Sequence, residues 1–301
     1  MSTRAFVNAM SVGVLIGCAI AMSGCAKKAA VQGPTTIQVK GSDTMVNLAQ
    51  AWAEAYKQVA PNVNVEVSGG GSGVGIAALE KGTIDIANAS RNMKPEEIEQ
   101  TKRATGKDPV EHVVAFDALA VYVHKDNPIQ EISFEQLAQI FAEGGTITKW
   151  SQLGVKIPGG GNDEIVRVSR QSSSGTYEFF REHVLAKKDF KLGSRDMNGS
   201  KEVVELIGST KTAIGYSGMG YATDAVKLLR VSHKTGESAV APTVENTLNK
   251  TYPLARSLLV YTLGEPEGEV KKYVDWLLSP DGQRLVQENG YVPVSGTHAN
   301  N

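Results

Sequence analysis

The chain has 301 residues, room for about two domains at roughly 150 residues each. Its 31 Lys and Arg against 32 Asp and Glu leave a net charge of −1, without the basic excess that marks a nucleic-acid binder. A hydrophobic share of 41% and a charged share of 21% exclude disordered, collagenous and polytopic membrane classes, and the two cysteines, Cys18 and Cys25, exclude a disulfide or cysteine–metal framework beyond the first 25 residues.

Arg4 precedes an uncharged apolar run from Val12 to Met22. That run is shorter than the ~20 apolar residues that span a bilayer, so it reads as a secretory leader. It ends in Met22-Ser23-Gly24-Cys25, which resembles a bacterial lipobox. The resemblance implies cleavage of a signal peptide over 1–24 and a lipid on Cys25, a membrane anchor that does not span. Residues 25–36 are small and polar and read as a tether.

Ile37 to Lys40 alternates and reads as a strand. Met45, Leu48, Trp52, Tyr56 and Val59 recur at helical spacing, closed by Pro61. Val63, Val65 and Val67 form a second strand, Val74 to Lys81 a short helix stopped by Gly82, and Thr83 to Ala89 a third strand. This alternation predicts a parallel sheet with crossover helices. Pro95 to Thr105 is a charged surface helix, and Val113 to His124 a β-rich run interrupted by Asp117. Ser133 with Gln136 is a capping box opening a helix with Leu137, Ile140 and Phe141. Gly159 to Asn162 is a loop, Ile165 to Ser169 a strand, and Gly175 to Ala186 a helix. Ser200 is expected to cap a helix to Ile207, followed by a strand over Ala213 to Tyr216. Leu254 to Thr262 is a second long strand-like run, and the helices Glu269 to Leu278 and Pro280 to Glu288 close the chain, the latter capped by Ser279 with Pro280 at its first position.

The two long runs are the candidate crossings between lobes. They predict a discontinuous first lobe over 37–117 and 260–301 and a second lobe over 118–259.

Three loops share one topological position, strand to helix: Gly41 to Met45, Ser68 to Gly75, and Ser169 to Thr176. Each places free backbone N–H groups at the positive end of a helix dipole, with Ser or Thr hydroxyls as further donors. Any one of them alone reads rather as a helix cap and a tight turn. Together they describe an anion site of neutral dipoles, to which Arg170 adds a charged clamp. The glycines match neither nucleotide fingerprint: Ile76 stands where a Walker motif needs Lys, and no true G-x-G-x-x-G is present.

These segments resemble the phosphate-binding proteins, the substrate-binding components of phosphate ABC transporters. The carrying residues are Gly41-Ser-Asp-Thr-Met45, Ser68-Gly-Gly-Gly-Ser-Gly-Val-Gly75, Asp85-Ile-Ala-Asn-Ala-Ser-Arg91 and Arg170-Gln-Ser-Ser-Ser-Gly-Thr176, with support from Leu137 to Phe141, Trp150, Ala213 to Ser217 and Ser279 to Gln283. The resemblance implies an α/β periplasmic-binding-protein-like fold, two lobes with two hinge crossings and the ligand in the interlobe cleft. It implies phosphate held by Thr44, Met45, Ser72, Arg170, Ser174, Gly175 and Thr176, without a cofactor or metal. Partners implied are inorganic phosphate, permease subunits and a membrane through the lipid, for a monomer facing the periplasm or the cell exterior. Well-known members end the third strand in Ser-Asp, whose carboxylate accepts a proton from phosphate; here the strand ends Ser90-Arg91. Arg91 is a candidate contact but has donors only, and Asp43 is the nearest substitute acceptor by position.

Other readings stay open at this level. Another tetrahedral oxyanion, sulfate or molybdate, fits the same loops. A periplasmic phosphatase would need a nucleophile with a base, yet Ser217 is not in G-x-S-x-G, because Met219 takes the last position, and His112, His124, His183, His233 and His298 are scattered. An adhesin or signalling lipoprotein on the same scaffold is a third class.

Overall fold

The structure is a computed structural model, and it describes residues 34–159 and 161–294. The leader, Cys25 and most of the tether lie outside the described residues, and among these no helix is long and apolar enough to cross a membrane. The elements in chain order are β1 Thr35–Gly41, α1 Val46–Val59, β2 Val63–Ser68, α2 Ser72–Glu80, β3 Ile86–Ala89, α3 Pro95–Thr105, β4 Pro109–His124, β5 Glu131–Ser133, α4 Phe134–Phe141 and β6 Val166–Arg170. There follow α5 Gly175–His183, β7 Arg195–Met197, α6 Ser200–Ser209, β8 Ala213–Gly218, β9 Val226–Leu228, β10 Arg230–Ser232, α7 Val244–Leu248, β11 Ala255–Leu263, α8 Gly268–Leu277 and α9 Pro280–Glu288.

The main sheet runs β2-β1-β3-β11-β4-β8-β6-β7, with β9 also on β4, and β5 pairs β10 separately. The expected parallel strand–helix alternation occurs twice: β1 is parallel to β2 and β3, and β6 to β7 and β8. Between these two groups run β4 and β11, antiparallel to each other. β4 belongs to both: residues 109–118 pair with β11, and Leu119 to Val123 pair with β8.

Each half of the sheet is covered on both faces. In the first lobe one core holds Ile37, Leu48, Trp52, Val114 and Tyr273, and the other Ile76, Leu79, Ala87 and Tyr261. In the second, Leu119, Val121 and Val123 face Phe141, Trp150 and Phe180, while the alternate Ala120 and Tyr122 face Val203, Val204 and Ile207. A strand buried on both faces must be apolar at every position, which is why the end of β4 reads as an unbroken hydrophobic run. Leu254 packs in a second-lobe core, whereas Leu258 and Leu259 pack in first-lobe cores. The buried side chains of this segment thus change core between Leu254 and Leu258.

Three local expectations are corrected. Thr35 and Thr36 belong to β1 rather than to the tether, because they pair with Val63 and Asn64 and their β-branched side chains suit a strand. Asp117 does not interrupt β4; it is paired within the strand to Arg256. Ser200 is the first residue of α6 and Gly199 its N-cap, and the Ser200 hydroxyl accepts a hydrogen bond from Arg170 instead.

Candidate functional site

The loops after β1, β2 and β6, together with the end of β3, meet along the line between the lobes. Glycine permits that meeting. A Cβ on Gly175 would lie 2.3 Å from Ser72 Oγ and 2.7 Å from Ser90 Oγ, and one on Gly71, whose φ is +97°, would lie 2.5 Å from the Ser173 carbonyl oxygen. Side chains there would hold the loops apart. The contact is also bonded: Gly73 N donates to Ser173 O at 2.9 Å, and Ser173 Oγ to Gly70 O at 3.1 Å.

At the centre is a cluster of hydroxyls. Thr44 Oγ1 and Thr176 Oγ1 are 2.9 Å apart, Ser42 Oγ donates to Ser90 Oγ at 2.9 Å, and Ser72 Oγ lies 3.3 Å from Ser90 Oγ. All five residues are buried. Ser72 opens α2 and Gly175 opens α5, so their amides have no partner within those helices. Ser174 caps α5 by accepting from the amides of Thr176 and Tyr177. That uses its lone pairs and leaves its hydroxyl hydrogen able to donate. Thr176, Ser72, Gly175 and Thr44 are thus brought together. Met45 is not free in the same sense: its side chain is in the core and its amide donates to Ser42 O at 3.0 Å.

Arg170 is buried at the end of β6, where Nη1 donates to Ser200 Oγ at 3.0 Å and Nη2 to Asn198 O at 3.1 Å and to Asp43 Oδ2 at 3.2 Å. Its Nε has no partner among the described residues. Burial pushes its guanidinium below the usual range, Asp43 draws it up, and the neighbouring Arg256 charge pushes it down further. Asp43 is thereby the partner of a second-lobe arginine, with its Oδ1 accepting from Gly70 N at 2.8 Å. Arg91 turns the other way, donating from both Nη atoms to Glu97 at 2.7 Å each.

Two charged groups of the cluster were missed by the loop reading. Arg256 donates through Nη1 to Thr176 Oγ1 at 3.0 Å, and its Nη2 is 3.4 Å from Thr44 Oγ1. Asp117 receives Nε and Nη2 of Arg256 at 3.0 and 2.8 Å, and the Met219 amide at 3.1 Å. Burial raises the Asp117 carboxyl above its ordinary value, and Arg256 and the Met219 amide oppose that rise. The signal was present: each is a lone charge in an otherwise apolar strand run. A cavity of ≈ 520 Å³ adjoins the cluster, lined among others by Arg91, Phe116, Phe179, Lys250 and Arg256.

Residues 28–281 match the PBP superfamily domain. The chain is 37% identical over 265 residues to the phosphate-binding protein PstS of Pseudomonas aeruginosa, covering 84% of this chain and 81% of that one. Among solved structures it is similar to a phosphate ABC transporter substrate-binding protein of Clostridium perfringens with bound phosphate, at 32% identity and a TM-score of 0.75, covering 87% of this chain and 100% of that one. An ABC-type phosphate transport receptor from Vibrio cholerae is 29% identical with a TM-score of 0.67, covering 85% and 99%. The family match at residues 28–281 includes every loop of the hydroxyl cluster, and by these comparisons the chain belongs to the phosphate-binding protein family of the PBP superfamily.

Proposed function

We propose that this protein binds inorganic phosphate outside the cytoplasmic membrane and delivers it to an ABC permease. The observation that carries the reading is the meeting of Thr44, Ser72, Gly175 and Thr176 from opposite lobes in one buried cluster. A buried set of hydroxyl and helix N-terminal donors suits a small tetrahedral oxyanion. Phosphate is preferred among such anions because the curated relative from Pseudomonas aeruginosa and the neighbour from Clostridium perfringens are both described by phosphate. The ligand contacts proposed are Thr44, Met45, Ser72, Arg170, Ser174, Gly175 and Thr176, with Met45 N exchanging its bond to Ser42 O for the anion.

The lobes proposed are 37–117 with 260–301, and 118–259, adjusted so that β11 changes lobe near Arg256. Ligand contacts drawn from both lobes favour the closed arrangement, since they are made only there. Cys25 carries the lipid, and the monomer faces the periplasm or cell exterior on its tether. A binding role, not catalysis, is favoured by how the serines are used: Ser42, Ser72 and Ser90 bond one another, and Ser174 caps a helix. Calorimetric titration of the purified protein with phosphate, sulfate and molybdate tests the reading. Saturable phosphate binding at one site per chain, tighter than for the other two, is expected. Preferential binding of sulfate or molybdate overturns the phosphate assignment, and no heat with any of them overturns the oxyanion reading.

A further inference from the structure

Asp117 and Arg256 face each other as direct register partners on the two strands that pass between the lobes. One position beyond the β4–β11 pairing, Leu119 has changed partner to Gly218 of β8. The pair therefore sits where the sheet passes from one lobe to the other. Asp117 is 0% and Arg256 5% exposed. An ion pair at such a place is not explained by stability, because removing two charges from water offsets most of their attraction, and an apolar pair would hold the strands as well.

The bonds of Arg256 show a different use. Nε and one Nη are held by Asp117, which fixes the guanidinium plane. The remaining donors point into the hydroxyl cluster: Nη1 reaches Thr176 Oγ1 of the second lobe and Ser90 O of the first at 3.0 and 3.3 Å, and Nη2 approaches Thr44 Oγ1. One side chain thus touches both crossing strands and the ligand loops of both lobes. A second buried guanidinium, Arg170, is close enough for its charge to be disfavoured by Arg256. Each of the two is already balanced by a carboxylate, Asp43 for Arg170 and Asp117 for Arg256, so the case for an anion rests on where the Arg256 Nη donors point, at neutral hydroxyls. A hydroxyl takes only a fraction of what a guanidinium N–H gives to a charged oxygen.

We propose that Arg256 is the second cation of the anion site. Its Nη atoms pass from Thr44 and Thr176 to the oxygens of the bound anion, and Asp117 is the positioning residue that aims them. The inference rests on the phosphate reading above and adds a contact that lies in none of the three loops. It also makes the hinge part of the site, since the ligand is then held by a residue of the crossing strand itself.

Three proteins test it by phosphate calorimetry, each checked for its fold by circular dichroism: the wild type, Arg256→Lys, and the double variant Asp117→Leu with Arg256→Met. Lysine keeps the charge but loses the fork, and phosphate Kd should rise about 10- to 100-fold, the loss of one or two charge-assisted hydrogen bonds. The double variant replaces the pair by apolar groups, which removes the cation without leaving a buried charge alone. It should stay folded and lose phosphate affinity by at least as much as Arg256→Lys. A merely structural pair would leave the folded double variant binding as the wild type does, and that result overturns the proposal; so does a folded Arg256→Lys with unchanged Kd. If Arg256→Lys fails to fold, the double variant alone decides. Absence of phosphate binding by the wild type is a separate outcome, which overturns the phosphate reading on which the inference stands.

Discussion

Thr44 Oγ1 and Thr176 Oγ1, separated by 132 positions in the chain and set on opposite lobes, lie 2.9 Å apart. The pair is buried. Each hydroxyl has one hydrogen, so when both donate to an anion neither donates to the other. On the proposed reading, the same two groups pass from a direct contact with each other to donors for the anion.

Replacing Arg170 by Ala should weaken phosphate binding more than Thr44→Ala. A charged hydrogen bond is worth about 1.5–3 kcal/mol and a neutral one about 0.5–1.5, so roughly 10- to 100-fold is expected against a few-fold. Arg170→Ala also strips Asp43 of its partner across the cleft. Calorimetry decides the order, and a larger loss for Thr44→Ala would remove Arg170 from the clamp.

Gly175→Ala adds a methyl group where Ser72 Oγ would be 2.3 Å away. Neither lobe need unfold, since the clash is with the other lobe's loop. The expected result is a near-normal melting curve, phosphate affinity reduced by about 1–3 kcal/mol from overpacking at the contact, and X-ray scattering that stays open at saturating phosphate. Scattering identical to that of the phosphate-bound wild type would show that the loops do not approach this closely.

Glu97 should contribute to stability at neutral pH and cease to do so in acid. Burial pushes its carboxyl up, but hydrogen bonds from Arg91 and the Lys94 amide, with the charges of both residues, outweigh that and hold it below the ordinary carboxylate range. A carboxyl lowered on folding stabilises in full above its unfolded pKa, about 4.3 for Glu, and the contribution disappears as pH falls through the folded value. Urea midpoints of Glu97→Gln and wild type should differ at pH 7 and converge as the pH is taken progressively below the unfolded Glu value. A gap that is constant across that window would mean the Arg91–Glu97 pair is not what lowers the carboxyl.

Trp52 joins α1 to α9 by donating Nε1–H to the Gly282 carbonyl at 2.8 Å, deep in the first lobe. Trp52→Phe removes the side-chain donor while the carbonyl keeps its α9 backbone partner, at a cost of about 0.5–1.5 kcal/mol beyond the lost packing. The urea midpoint should fall while phosphate Kd stays within twofold or so, because the residue is remote from the cluster. A large change in Kd with an unchanged midpoint would reverse this division between fold and site.

Much of the architecture is local and was legible. The spacing of Leu48, Trp52 and Tyr56 marks one helix face, Ser133 and Gln136 form the capping box they spell, and Ser279-Pro280 opens α9 as its residue types require. The strand-to-helix loops were legible for the same reason: a glycine-rich turn with Ser or Thr before a helix exposes backbone donors wherever it occurs. The partners of those groups were not. Ser200 was a fitting helix cap by type, yet its hydroxyl serves Arg170, a choice made by residues far off in the chain. Asp117 looked like an interruption and Arg256 like an isolated charge, because each is surrounded in sequence by apolar residues. Only the antiparallel register of β4 on β11 sets them face to face, and only the tertiary packing of the loops after β1 and β6 brings Thr44 and Thr176 to the same guanidinium. Hydrophobic period and turn chemistry are properties of a few neighbouring residues, so the sequence determined the elements and the donors by itself. A buried charge is tolerated only with a partner, and which partner it finds is decided by long-range pairing that no short segment encodes.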